Sequence, residues 1–306
     1  MSLQAKADWI AVDWGTTNLR AWALDSQDNI IAHRSSSKGM SSLEKDEFEP
    51  TLLELIGDLI RPAGKTAVVI CGMAGSRQGW AEAPYKTTPC APPALKDATT
   101  VRSLDERLDV RILPGIKQPD PADVMRGEET QIAGFLSENA GFSGTLCLPG
   151  THSKWVRLQD GIVEHFRTCM TGEMFALLSA RSVLQHSLSP KEMDQTAFDE
   201  AVEQVAGRPQ SIATSLFGIR AGGLVAGLSP QSARGRLSGL LIGAELAAVR
   251  DEFDLSAVIL LGSDQIATAY QRALARLGHK SEVINAEATT LNGLALAYSS
   301  YSKVSS

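Results

Sequence analysis

The chain has 306 residues, 43% of them hydrophobic and 21% charged, with a net charge of −6 at pH 7. That length holds one large domain or two of ordinary size. The acidic balance, with no Lys/Arg run, excludes broad electrostatic binding to nucleic acid or to an acidic membrane surface. No window is apolar enough to span a bilayer, and the opening MSLQAKADWIAVDWG lacks the basic-then-apolar pattern of a signal peptide. The four cysteines are scattered without a CxxC or CxxH spacing. Reduced, mostly buried thiols in the cytoplasm are therefore expected, rather than disulfides or zinc.

The first apolar strand runs into Asp-Trp-Gly-Thr-Thr-Asn; residues 19–24 then alternate with a period of two. DSQDN supplies a turn and IIAHRSSS a return strand, so the chain opens as a β-meander. FEPTLLELIGDLIRPAG carries Leu52, Leu55, Ile56, Leu59 and Ile60 at helical spacing and ends at Pro62 and Gly64. TAVVICG and DVRILPG read as strands on either side of a Gly/Pro-rich loop, and ADVMRGEETQIAGFLSEN reads as helix. After a boundary near Glu138–Ser143 the opening pattern returns in TLCLPGTHSKWVRLQDGIVEHFR, a strand, a Gly-Thr turn and two more strands. MTGEMFALLSARSVLQHSL and GRLSGLLIGAELAAVRDEF are expected helices. AVILLGSDQIATAYQRALARLG is a strand, a turn and a helix; SEVIN is a strand, and ATTLNGLALAYSSY a closing helix. Alternating strands and helices make this an α/β chain.

Gly15 aligns with Gly150, Thr16 with Thr151, Thr17 with His152 and Asn18 with Ser153, a weak repeat at an offset of 135 residues that suggests two similar domains. A Gly-Thr turn between strands presents backbone N–H groups and hydroxyls, a concavity suited to phosphate oxygens. Asp13, just before the first turn, is placed to hold Mg²⁺ through water. An ordinary hairpin with a glycine turn is the plain alternative. Walker-type, GxGxxG and protein-kinase motifs are absent. Trp14, Trp22 and Trp155 read as packing residues rather than sugar platforms.

VDWGTTNLRAW resembles the first phosphate hairpin of the sugar kinase, Hsp70 and actin superfamily, LCLPGTHSKWV the second, and VILLGSDQIATAYQRAL the adenosine-site segment. GMAGSRQGWAEAPY, DVMRGEETQIAG, LPGTHSKWV and LSGLLIGAEL, in this order, resemble the 2-dehydro-3-deoxygalactonokinase family over nearly the whole chain. The second hairpin departs from the wider superfamily in Pro149 and His152. The resemblance implies a two-domain actin-like ATPase fold of duplicated ribonuclease H-like domains, with a nucleotide cleft between lobes 1–142 and 143–306 and a closing helix near 288–302 that packs back on the first. It implies ATP and Mg²⁺, and phosphoryl transfer to a six-carbon 2-keto-3-deoxy sugar acid, derived from galactonate or its C4 epimer.

Carried onto this chain, the resemblance assigns phosphate contacts to Gly15, Thr16, Thr17 and Asn18 and to Gly150, Thr151 and His152. It places Gly262, Ser263 and Asp264 near the nucleotide. Arg77 and Arg126, with Ser76 in support, are candidates for the substrate carboxylate, because a guanidinium grips it bidentately. The general base is expected in RGEETQIAG as Glu128 or Glu129, with Glu128 slightly favoured by its face and Asp123 more distant. Acids in a first helical turn also suit the helix dipole without any catalytic role. Two other readings compete: a nucleotide-gated binding protein of the same fold, and a hydrolase using Ser153 and His152, which lacks GxSxG. The partner is a small molecule; a homodimer is left open.

Overall fold

The computed structural model describes residues 5–302, which form two compact units. Of these residues, one unit takes those up to Phe142, Asp160–Val163 and those from Ala286 on, the other Ser143–Gln159 and Glu164–Asn285.

The first unit opens with β1 (Trp9–Trp14), β2 (Leu19–Leu24) and β3 (Ile30–Ser36), an antiparallel meander. Helix α1 (Phe48–Ile56) leads into β4 (Thr66–Gly72), which pairs parallel with β1. After β5 (Lys86–Thr87) come β6 (Thr99–Val101) and β7 (Leu108–Ile112), completing a six-stranded sheet of order β3-β2-β1-β4-β7-β6. Strand β5 joins β8 (Ile116–Pro119) and β9 (Ala122–Met125) in a smaller sheet, and α2 (Glu128–Glu138) follows. Strand β1 is buried on both faces. Ile10, Val12 and Trp14 point toward Phe48, Leu52 and Ile56 of α1, while Trp9 and Ala11 share the opposite face with Trp22 and Val69. The period of two then sends Asp13 to that opposite face.

Two expectations are corrected here. Helix α1 stops at Ile56, capped at Gly57; Leu59 and Ile60 lie beyond it in a turn, where Leu59 N–H donates to the Ile56 carbonyl, and yet stay buried. Burial, not helical continuation, explains their apolar character. Residues 122–125 are strand rather than helix. A turn at Asp120–Pro121 folds β8 onto β9, and Gly127, at φ 107°, cannot extend α2 backward.

The second unit repeats the scheme. Strands β10 (Gly144–Leu148), β11 (Ser153–Gln159) and β12 (Ile162–Cys169) precede α3 (Thr171–Arg181), α4 (Gln195–Gly207), α5 (Ile212–Val225) and α6 (Pro230–Val249). Strand β13 (Ala257–Gly262), α7 (Asp264–Arg276) and β14 (Lys280–Asn285) complete a sheet of order β12-β11-β10-β13-β14. As in the first unit, an antiparallel hairpin is flanked by a parallel strand, here β13 beside β10. Helices α4 and α5 were not anticipated, although Asp194 caps α4 through the Thr196 and Ala197 N–H groups and Phe198, Ala201, Val202 and Val205 form its buried stripe. The last element, α8 (Ala286–Ser302), belongs to the first unit, where Trp9 stacks on Tyr298 at 4.4 Å. No helix among the described residues is long and apolar enough to cross a membrane.

Each unit contains one helix pair brought together by missing side chains. On α6, Gly235, Gly239 and Gly243 lie four residues apart along one face. A Cβ there would run into the Asp194 carbonyl, the Phe198 carbonyl and, at 2.6 Å, Val205 Cγ1 of the α4 side. Between α2 and α8 the approach is closer: a Cβ at Gly134 would strike the Thr289 carbonyl, and one at Gly293 the Thr130 carbonyl. Gly134→Ala should therefore destabilise the protein by ~2–3 kcal/mol, the cost of overpacking against backbone that cannot give. Gly218→Ala, on α5 with nothing within 4 Å of the added carbon, should gain up to ~1 kcal/mol from helix propensity. Urea unfolding midpoints of the two variants check both signs.

Candidate active site

Because cross-strand partners on a sheet project to the same face, the register fixes the neighbours of Asp13. It lies opposite Arg20 on β2 and Cys71 on β4. Arg20 Nη2 donates to Asp13 Oδ2 at 2.6 Å, and Nη1 to Glu287 of α8 at 2.9 Å. The Cys71 thiol is 3.9 Å from Asp13 Oδ1. Burial pushes the Asp13 carboxyl above the usual carboxylate range, against the pull of Arg20.

The turn that follows is anchored from behind. Gly15 N–H donates to Asn18 O at 2.9 Å, and the Gly15 and Thr16 carbonyls accept from Met40 and Ser41 N–H, both at 3.0 Å. Thr16, Thr17 and Asn18 are thus left exposed, with Asn18 Nδ2 on Thr17 Oγ1 at 3.1 Å. Asp13, Gly15, Thr17, Asn18 and Arg20 line a cavity of about 530 Å³ closed on one side by Ser35–Ser37; Thr16 is not among its walls.

The start of α2 treats its two acids differently. Glu128 is half-buried, accepts the Arg126 N–H at 3.0 Å, and bears electrostatically on Asp13. Glu129 is wholly buried; both its oxygens face the Gly127 N–H, at 2.9 and 2.7 Å. Desolvation, reinforced by the nearby Glu128 charge, pushes Glu129 up to about 8, so it is protonated at neutral pH. Asp123 stands apart on β9, its carboxylate accepting the Val124 N–H.

Arg126 is 9% exposed, its Nη2 donating to the Ala83 carbonyl at 2.8 Å and its guanidinium lying over the Tyr85 ring at 4.3 Å. Nε and Nη1 have no hydrogen-bond partner among the described residues, and neither does the buried Ser76 hydroxyl. Nη1 presses against Gly75, where a Cβ would lie 2.7 Å away. Arg77 is elsewhere: its side chain is 82% exposed, with Glu82 3.9 Å away.

In the second unit, residues 149–153 separate the partners Leu148 and Lys154, one residue more than the four between Trp14 and Leu19. The start of α3 backs this turn. Glu173 N–H donates to Thr151 O at 2.9 Å, its carboxylate meets His152 Nε2 at 2.5 Å, and a Cβ at Gly172 would strike the Gly150 carbonyl. Ser153 points inward to Tyr270, at 2.7 Å, away from the His152–Glu173 pair, so the hydrolase arrangement is absent among the described residues. Gly150, Thr151 and Ser263 line a cavity of about 970 Å³ with Phe175, Arg234 and Tyr270; His152 and Gly262 do not line it. Gly262 packs beneath, its α-carbon hydrogen facing Pro149 and Ala267. Asp264 opens α7, but its side chain lies outside the described residues.

Trp14, Trp22 and Trp155 are all buried in the cores. Sequence reasoning passed over Arg20, which the register of the hairpin closed by residues 15–18 makes the cross-strand partner of Asp13. It also passed over Tyr85, Glu287, Arg234 and Glu245, the last a lone acid in an apolar helical run.

Residues 13–297 match the family model described as 2-keto-3-deoxy-galactonokinase. A protein of Rhizobium meliloti (strain 1021), named as a probable 2-dehydro-3-deoxygalactonokinase, is 39% identical over 94% of this chain and 96% of its own length. The 2-dehydro-3-deoxygalactonokinase of Escherichia coli (strain K12) is 36% identical over 89% of this chain and 91% of its own. The crystal structure of a 2-dehydro-3-deoxygalactonokinase candidate from Sinorhizobium meliloti superposes with a TM-score of 0.90 at 37% identity, covering 96% of this chain and 99% of that one. The chain belongs to the 2-keto-3-deoxy-galactonokinase family, with its two-domain α/β sugar-kinase fold.

Proposed function

We propose that the protein transfers the γ-phosphate of ATP to the 6-hydroxyl of 2-dehydro-3-deoxy-D-galactonate, in the breakdown of galactonate. The observation that carries the substrate class is Arg126. A guanidinium nine-tenths buried with two nitrogens unclaimed is costly unless an anion meets it. The carboxylate of a sugar acid is such an anion, and the Ser76 hydroxyl is the neutral donor beside it. Arg77, turned to solvent, is the weaker candidate for that contact.

The exposed turn of residues 15–18 offers hydroxyls and backbone donors to phosphate oxygens, and the turn of residues 150–152 with Ser263 offers the same to the nucleotide. Asp13 fits Mg²⁺, which takes one or two carboxylates and completes its shell with water and phosphate oxygens. Held there through water, the cation would neutralise phosphate charge. Glu128 is the better base of the two acids, because Glu129 already carries a proton at neutral pH. The Glu128 carboxylate would accept the proton of the 6-hydroxyl as that oxygen bonds to the γ-phosphorus and the bond to the β,γ-bridging oxygen breaks, releasing ADP. None of the four cysteines forms a disulfide, in keeping with a reducing compartment, the cytoplasm.

Incubated with ATP, Mg²⁺ and the sugar acid, the protein should release ADP only when the sugar acid is present; ATP turnover indifferent to it would overturn the reading. Arg126→Lys keeps the charge but loses the fork. KM for the sugar acid should rise by about tenfold or more, equivalent to ~1.4 kcal/mol, while KM for ATP stays within about twofold.

Asp13→Asn should remain folded and lose on the order of 10²-fold in kcat, as other electrostatic deletions do; steady-state assays at saturating Mg²⁺ and circular dichroism read the two halves of that expectation.

Glu128→Gln should lower kcat by ~10²–10⁴-fold, with Glu129→Gln much milder. Glu129 is distinguished instead by the pH dependence of stability. Its folded value of about 8 lies above the ordinary 4.5, so the folded state holds one more proton than the unfolded state in between. Stability relative to Glu129→Gln should therefore fall as pH rises from about 5 to 8, at no more than ~1.4 kcal/mol per pH unit. Urea titrations of both proteins at the two ends of that window measure the difference.

A further inference from the structure

The segment LSGLLIGAEL carries an acid, its last residue but one, that the chemistry above does not use. Glu245 lies on α6 and is 4% exposed in an otherwise apolar setting. Its carboxyl accepts the Trp155 Nε1–H at 2.7 Å and the Tyr270 hydroxyl at 2.7 Å, and the nearby Thr171 and Ser153 side chains also favour its charged form. The Ser153 and Tyr270 hydroxyls are in turn 2.7 Å apart.

These side chains come from three elements that frame the second turn. Ser153 and Trp155 sit two apart on the same face of β11, immediately after Gly150-Thr151-His152. Thr171 opens α3, whose next residues grip the turn from behind: Gly172 against the Gly150 carbonyl, and Glu173 on Thr151 O and His152. Tyr270, on α7, forms part of the wall of the cavity that Gly150, Thr151 and Ser263 also line. With the Tyr270 hydroxyl donating to Glu245, the Ser153 hydroxyl donates to Tyr270 and joins the network through it; a group that meets converging donors and offers none of its own is, among side chains, a carboxylate. Burial raises the Glu245 carboxyl, and its hydrogen bonds oppose that rise.

We propose that Glu245 is a positioning residue for nucleotide binding, holding β11, the start of α3 and α7 in the one arrangement that presents the turn of residues 150–152 to phosphate. The proposal rests on the kinase reading, in which that turn meets the nucleotide. It touches no reacting atom and acts through Ser153, Thr171 and Tyr270.

The test is direct binding of ADP by calorimetry, with steady-state kinetics in parallel, on the parent, Glu245→Gln and Tyr270→Phe at a temperature where all three are folded. An amide keeps the size of the carboxyl but replaces one acceptor oxygen with an N–H donor aimed at other donors. Glu245→Gln should weaken ADP binding and raise KM for ATP by about tenfold or more, with KM for the sugar acid within about twofold. Tyr270→Phe, which deletes a single hydroxyl of the network, should shift the same two quantities in the same direction by a smaller factor. A purely structural carboxyl would lower the unfolding midpoint and leave ADP affinity and KM for ATP unchanged in the folded variants, and that result would overturn the proposal. If the parent binds ADP but shows no sugar-acid-dependent ADP release, the kinase reading fails; weakened ADP binding by the variants would then still uphold the positioning role.

Discussion

A carboxyl group carried into an apolar interior must be met by donors or keep its proton, and this protein does one or the other at each place where it builds a site. Asp13 is answered by a charge, the Arg20 guanidinium across the strand, which is itself tied to Glu287. Glu129 keeps its proton beneath the start of α2. Glu245 is answered by neutral donors from a strand and two helices. Each solution demands that neighbouring elements hold still to within a few tenths of an ångström. The glycine-mediated helix contacts serve that demand: α2 is clamped on α8, and α6 on α4, by backbone meeting backbone where no side chain can rearrange.

The two hairpins show how one scaffold is made to handle charge in two ways. In the first, the strand-end acid and its cross-strand arginine form an ion pair beside the turn. At the offset of 135 residues, Asp13 falls on Leu148 and Arg20 on Trp155. The second hairpin has thus exchanged its ion pair for apolar groups, and the acid arrives instead from a helix behind the sheet, taken up by the indole N–H of that same Trp155. The extra residue in the second turn, with Pro149 packed toward Gly262, accompanies the exchange. One frame thereby carries an ion pair beside its first turn and a buried, hydrogen-bonded carboxyl behind its second.

Much of this was legible in the sequence because local periodicity and turn chemistry coincide with the fold. The β-meanders, the Gly-Thr turns and the α/β alternation are set by residues within a few positions of one another. Where the reading failed, longer-range facts decided. Leu59 and Ile60 kept helical spacing but are buried by the core after the helix has ended. Ala122–Met125 lies in an edge sheet that only tertiary pairing with β8 reveals. The inequality of Glu128 and Glu129 was invisible for the same reason: adjacent residues of one type differ only in what surrounds them. Arg126 was found as a residue type suited to carboxylates, but its half-satisfied fork under Tyr85 is a property of packing.

The position of α8 in the chain has a consequence for biogenesis. It follows the entire second unit in sequence, yet it supplies Leu294 and Ala297 to the core that holds Trp9, Trp22 and Leu95. A ribosome making this chain delivers the first sheet early and its covering helix last, a delay on the order of ten seconds at roughly 5–20 residues per second. Throughout that interval one face of the first sheet, tryptophans included, has no α8 to bury it. The second unit, nearly contiguous, has all its own elements before then. Synthesis order and completion order are therefore opposed, and the nascent chain exposes an apolar sheet face of the kind that chaperones hold.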